Sequence, residues 1–193
     1  MIPQVAQILL NTGTPVKAVF DIDFLSEKDF VKLTVAAFGG DWVDFEETFN
    51  RVDSAVRDNL KPESEAHIRE KIIECCSSDF SFSKLKSEIN SIMKTNKTWN
   101  IVKKFGRQGI PAGDATAQFD ELLEKLKNIG IYVIPKGTIE NFCQEIGNHG
   151  PKFVTKVLSD TDIGDDKLSD LREFVKMVHV GNAGVGPNIA SQH

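Results

Sequence analysis

Val16-Lys17-Ala18-Val19-Phe20-Asp21-Ile22-Asp23 decides the fold class of this chain. Its run of apolar residues ends in two acids, and Asn11-Thr12-Gly13-Thr14-Pro15 precedes it. A short apolar run bounded by turn residues reads as a buried strand of a parallel sheet. The Gly and Pro stop a short helix over residues 3–11, whose Val5, Ile8 and Leu9 share one side. Successive strand residues point to opposite faces, but at the carboxyl end the chain turns, and Asp21 and Asp23 can approach one site. In an open α/β sheet that end is the ligand crevice. Two hard carboxylates there suit Mg²⁺ or Mn²⁺, which take oxygen ligands and retain several waters. The plainer alternative is an acid pair that caps the following helix.

Working outward, Ser26 is placed to cap that helix, with Asp29 three residues on in a near capping box. The helix carries Phe30, Leu33, Val35, Ala36 and Ala37 and stops at Gly39-Gly40. Residues 41 to about 100 read as helical throughout. One segment spaces Trp42, Phe45, Phe49, Val52 and Val56 by threes and fours, Pro62 opens a second, and a third carries Leu85, Ile89, Ile92 and Met93. With no strand inside it, the block 41–112 reads as a helical insertion. A loop at Gly109-Ile110-Pro111-Ala112-Gly113 precedes a helix from Asp114 or Thr116 through Phe119, Leu122, Leu123 and Leu126.

Ile131-Tyr132-Val133-Ile134 is the second strand, ended sharply by Pro135-Lys136-Gly137. Lys136 can neutralise phosphate charge, and Glu140 can bind a metal or orient water. The alternative is a surface lysine and an acid favoured by a helix N-terminus. Pro151 opens a further helix, 165–180 forms the last, and the glycine-rich tail 181–193 reads as disordered. The domain reading is therefore 1–40 as the first part of the α/β core, 41–112 as insertion, 113–180 as the second part, and 181–193 as tail.

Composition sets limits on function. Of 193 residues, 40% are hydrophobic and 26% charged, which is ordinary for a globular chain. No apolar run approaches the roughly 18 residues a membrane span needs, and Met1-Ile2-Pro3-Gln4 carries no basic leader. Cys75-Cys76 and the distant Cys143 make no CxxC, so a reduced, cytoplasmic setting is expected. The net charge of −5 argues against a uniformly basic nucleic-acid binder. Charge is unevenly spread, however. Residues 21–79 hold fifteen acids and seven bases, whereas residues 84–107 hold seven bases against Glu88 alone. Lys94, Lys97, Lys103, Lys104 and Arg107 of that stretch are candidate DNA-phosphate contacts, the alternative being a solvated helix face. Trp42, Trp99 and the phenylalanines sit at helical spacing and read as core. His149 reads as a turn residue more readily than as a phosphate contact.

The ordered combination carries a resemblance. An Asp21-x-Asp23 pair after a buried strand, a long helical excursion, then Lys127-Asn128-Ile129-Gly130-Ile131-Tyr132-Val133-Ile134-Pro135-Lys136-Gly137-Thr138-Ile139-Glu140-Asn141-Phe142 and Gly147-Asn148-His149-Gly150-Pro151-Lys152-Phe153-Val154 resembles the C-terminal half of the Toprim domain of OLD-family ATP-dependent nucleases. The resemblance spans residues 3–180. It implies a Toprim-like, Rossmann-like parallel sheet, incomplete in this chain, and metal-dependent cleavage of DNA phosphodiesters. Asp21 and Asp23 match the family's metal pair, Glu140 the acid after the last strand, and Lys136 a nearby base. Mg²⁺ or Mn²⁺ is the implied cofactor. DNA, an upstream ATPase portion or subunit, and further copies of the chain are the implied partners, with no membrane.

Two departures qualify the resemblance. The family's first acid, a Glu after an earlier strand, has no counterpart here, and an upstream segment is expected to supply it. No Gly-x-x-x-x-Gly-Lys-Ser/Thr is present, so the chain carries no P-loop ATPase of its own. Two other readings remain. One is a non-catalytic module that binds DNA or an ATPase. The other is a haloacid-dehalogenase-like phosphatase, since Phe20-Asp21-Ile22-Asp23 resembles its nucleophile pair and Gly164-Asp165-Asp166 its distal acids. Against the latter, Phe24-Leu25 stands where Gly-Thr is usual, and Ser159-Asp160-Thr161-Asp162 is too polar for a preceding strand.

Overall fold

The computed structural model describes residues 2–59, 65–95, 98–147, 150–162 and 164–184. Helices α1 (Ile2–Asn11), α2 (Lys28–Ala37), α3 (Val43–Asn59), α4 (Glu65–Ser77), α5 (Phe82–Thr95), α6 (Trp99–Phe105), α7 (Asp114–Asn128), α8 (Pro151–Asp160) and α9 (Ser169–Val180) surround strands β1 (Ala18–Phe20) and β2 (Ile131–Val133). The chain is thus mixed α/β and mostly helical. The strands pair in parallel, Ala18 with Ile131, Val19 with Tyr132 and Phe20 with Val133. Flanking bonds extend the ladder: Ala18 N donates to Gly130 O at 3.0 Å, Ile134 N to Phe20 O at 2.9 Å and Ile22 N to Gly137 O at 2.8 Å.

Both expected strands form, but each is shorter than its apolar run. Ile22–Ser26 turns into a short 3₁₀ helix, because Phe24 N bonds back to Asp21 O. Asp23 therefore sits in a turn and not on the strand. Ser26 does not cap α2. Its hydroxyl donates to Asp23 O at 2.7 Å, and Glu27 takes the cap position without a side-chain bond.

Period-two alternation divides the sheet between two apolar clusters. Ala18, Phe20, Ile131 and Val133 face the larger one, with Val31 and Val35 of α2, Phe49, Val52 and Val56 of α3, Trp99 and Val102 of α6, and Phe119, Leu122 and Leu126 of α7. Each such fully buried side chain contributes about 1.5–3 kcal/mol by leaving water. Tyr132 and Ile134 face the smaller cluster, with Phe142, Cys143, Phe153 of α8, Leu168 and Phe174 of α9.

The expected helical insertion is not separate from this core. Its first and last helices, α3 and α6, lie in the larger cluster, and only α4 and α5 leave it, packing on each other. The periodicity that marked Phe45, Phe49, Val52 and Val56 as a helix face is the face that α7 covers. The start of the helix expected at Pro62 lies outside the described residues. The expected disordered tail is also corrected at its start. Gly184 N donates to Val16 O at 2.8 Å, and Tyr132 Oη donates to Asn182 O at 2.8 Å, tying residues 182–184 to the sheet. Residues 185–193 lie outside the described residues. Among the described residues no helix is long and apolar enough to cross a membrane.

Candidate active site

The carboxyl ends of β1 and β2 lie side by side, so the turns that follow them meet. Asp21 continues β1 in extended backbone, and its carboxylate accepts from the Ile139 backbone N–H. Two residues on, Asp23 occupies the first 3₁₀ turn. From the β2 side, Glu140 stands in the first turn of a 3₁₀ segment over Ile139–Ile146, and its Oε1 accepts from Gly150 N at 3.1 Å. From α6, Lys103 Nζ reaches Asp23 Oδ2 at 2.5 Å.

These charges act on one another. Asp21 is held above the ordinary aspartate range, first by burial, then by the like charge of Asp23. Lys103 opposes this, Glu140 adds to it, and the Ile139 N–H bond opposes it again. Crowded carboxylates of this kind favour either protonation or a cation between them.

The α6 terminus that carries Lys103 is fixed by the turn after β2. Gly137 has φ +101°, and an added Cβ would collide with the Lys103 carbonyl oxygen. Asn141 Nδ2 donates to Lys136 O at 2.6 Å and also lies 3.2 Å from Lys103 O and 3.3 Å from Lys104 O. Arg107 N bonds Pro135 O at 2.7 Å. Acids and lysine are thus held by three backbone segments that are remote in sequence.

The predicted site residues fall into two groups. Asp21 and Asp23 line a cleft of about 900 Å³ together with Phe20, Trp99 and Arg57. Arg57 was not evident from sequence. It pairs with Asp53 at 2.8 Å, and Trp99 Nε1 donates to the same carboxylate at 2.9 Å. Lys136, expected beside the acids, lines a different cleft of about 1000 Å³ with Lys104, Arg107 and Lys167. Its ammonium group pairs with Asp170 and lies 5.7 Å from the Phe142 ring centre. The cation beside the acids is Lys103, read from sequence as a DNA contact. A swap of this kind is invisible to local pattern, because α6 and the strand turns are brought together only by the fold.

The expected basic face is likewise divided. Arg107 forms a two-bond pair with Asp120, Nε to Oδ1 at 2.7 Å and Nη2 to Oδ2 at 2.5 Å, which holds that carboxyl below its usual range. Lys104 is exposed, with Nζ 5.2 Å from the Phe105 ring centre. Lys97, the Lys94 side chain and His149 lie outside the described residues. Asp165 accepts from Lys167 N at 2.9 Å and caps a short 3₁₀ turn, while Ser159 and Asp160 end helix α8 and Thr161 and Asp162 follow outside it. Among the described residues no strand runs up to this turn, as a dehalogenase-like site would have it.

The donor set is suited in kind to a divalent cation: hard carboxylate oxygens at a strand end, mutually repelling, with the Lys103 ammonium on Asp23. Among the described residues no three His, Cys, Asp or Glu side chains stand close enough to hold an ion as they are. Asp21 and Asp23 share one cleft at the end of β1, with Glu27 on its lining.

No protein family, characterised protein or solved structure matches the chain. The functional reading accordingly rests on the residues of this site.

Proposed function

We propose that the chain is a divalent-metal-dependent nuclease module of the Toprim kind, hydrolysing DNA phosphodiester bonds in concert with an ATPase portion. The supporting observation is the crowding of Asp21 by Asp23 and Glu140 at the carboxyl end of paired parallel strands. Asp21 and Asp23 would hold Mg²⁺ or Mn²⁺, and Glu140 adds charge from the facing turn. The bound metal would supply a Lewis acid that lowers the pKa of water and steadies a leaving oxygen. The Ile139 N–H orients Asp21, and the Gly150 N–H orients Glu140. Exposed Lys104 is available to a phosphate.

A second reading, binding without cleavage, is favoured by Lys103, which already neutralises Asp23. Calorimetry with Mn²⁺ and a plasmid-nicking assay separate the two. Weak Mn²⁺ binding abolished by Asp21→Ala, with nicking lost in the same variant, is the expected result. Equal Mn²⁺ response in both proteins would remove the metal assignment. Metal binding with DNA retention but no nicking, in the presence of the ATPase portion, would favour the second reading.

A further inference from the structure

The pair between Lys103 and Asp23 is built in a way that a merely stabilising ion pair does not require. The root of Lys103 is fixed. Its carbonyl lies within hydrogen-bond distance of Asn141 Nδ2 and is packed against the Cβ-less face of Gly137. The tip is open to solvent, since its side chain is 40% exposed and that of Asp23 41%. An ammonium on a flexible four-carbon stem, anchored at a rigid backbone, can swing without disturbing the helix that bears it. Exposed pairs of this kind are weakly held. A cation bound by Asp21 and Asp23 competes for the carboxylate that Lys103 holds and repels the ammonium group. The next residue, Lys104, is already exposed, with its ammonium group over the Phe105 ring, so a released Lys103 would extend an available positive surface.

Resting on the metal reading above, we infer that Lys103 is a displaceable counter-ion: a divalent cation at Asp21 and Asp23 releases its ammonium group to a nucleic-acid phosphate, coupling metal binding to DNA binding. Thermodynamic linkage makes the effect reciprocal, so DNA raises metal affinity by the same factor. Lys103 is a positioning residue in this scheme. It holds the acids apart from other cations until metal arrives, and afterwards contributes to holding DNA.

The test uses the whole chain, Mn²⁺ and a short fluorescein-labelled DNA duplex. Calorimetry gives Mn²⁺ affinity, and anisotropy gives DNA affinity with Mn²⁺ and with chelator. In the native protein Mn²⁺ is expected to tighten DNA binding by about fivefold or more, the lower end of ordinary coupling. Lys103→Met is expected to bind Mn²⁺ at least as tightly as the native chain, yet its DNA affinity no longer responds to Mn²⁺. Lys103→Arg should keep the response. Lys104→Met should weaken DNA binding equally with and without metal. Lys103→Gln serves beside Lys103→Met, with circular dichroism to show that each is folded. An unchanged Mn²⁺ response in folded Lys103→Met and Lys103→Gln overturns the inference while leaving the metal reading standing. Loss of Mn²⁺ binding in both also overturns it, since Lys103 would then support the site and not yield to the ion. Failure of the native chain to bind Mn²⁺ overturns the metal reading itself.

Discussion

Asp21 shows most directly how this site is set against the stability of the chain. Burial and the neighbouring Asp23 hold its carboxyl above the ordinary aspartate value. The folded chain therefore keeps the Asp21 proton to higher pH than the unfolded chain does. The contribution of Asp21 to stability is fully present below about pH 3.9, the unfolded value, and is lost as pH rises through the higher folded value. At neutral pH the ionised group destabilises the fold. Asp21→Asn is expected to raise the thermal midpoint at pH 7, with the gain shrinking as the pH falls through the raised folded value and gone below the unfolded one. Thermal scans of both proteins across that range check this. A lower midpoint for Asp21→Asn at pH 7 would show that the Lys103 charge outweighs the crowding. Residues that serve chemistry are commonly held at such a cost to stability.

At the scale of elements, the turn after β2 is the joint on which the candidate site depends. Gly137 combines a positive φ with direct contact against the α6 backbone. Gly137→Ala is expected to cost about 3 kcal/mol from backbone strain and overpacking together. Gly147, at φ +63° with open space around its Cβ position, should lose only about 1 kcal/mol on the same change. Denaturant titration of the two variants measures the difference, and equal losses would mean that α6 is not held tightly at this point. Much of this arrangement was legible beforehand. The apolar runs placed both strands, and the Pro-Lys-Gly sequence marked the end of the second. Asp21, Asp23 and Glu140 were singled out because each follows a strand end. What could not be read was which cation joins them. Lys136 is near Glu140 in sequence but turns to Asp170, whereas Lys103 arrives from a basic stretch whose pattern points to solvent or a phosphate and not to Asp23. Long-range pairing of charges follows from packing, and packing leaves no mark on the spacing of lysines.

For the molecule as a whole, core and excursion divide inside the helical block. The α3 and α6 helices are locked into the larger cluster, while α4 and α5 rest on each other, with Cys75 their one buried hydrophobic residue among the described residues. Few buried apolar contacts mean low local stability. Limited trypsin treatment is expected to cut first at exposed Lys84 or Lys86 on α5. The two fragments should remain together in size-exclusion chromatography, because α3 and α7 still hold them. First cuts in α7, or separation of the fragments, would show that the excursion is part of the core after all. The β1–β2 pairing has a further consequence, for the order of events in folding. Its partners lie on either side of α2 through α7, so the ladder can close only after a very long loop has been drawn in. Contacts so distant along the chain slow folding, because loop entropy must be lost before they form. Asp21 and Glu140 meet only across that ladder. Newly made protein would thus acquire its helices early and its cluster of acids late, and a cell would hold no partly folded form in which that cluster is already assembled.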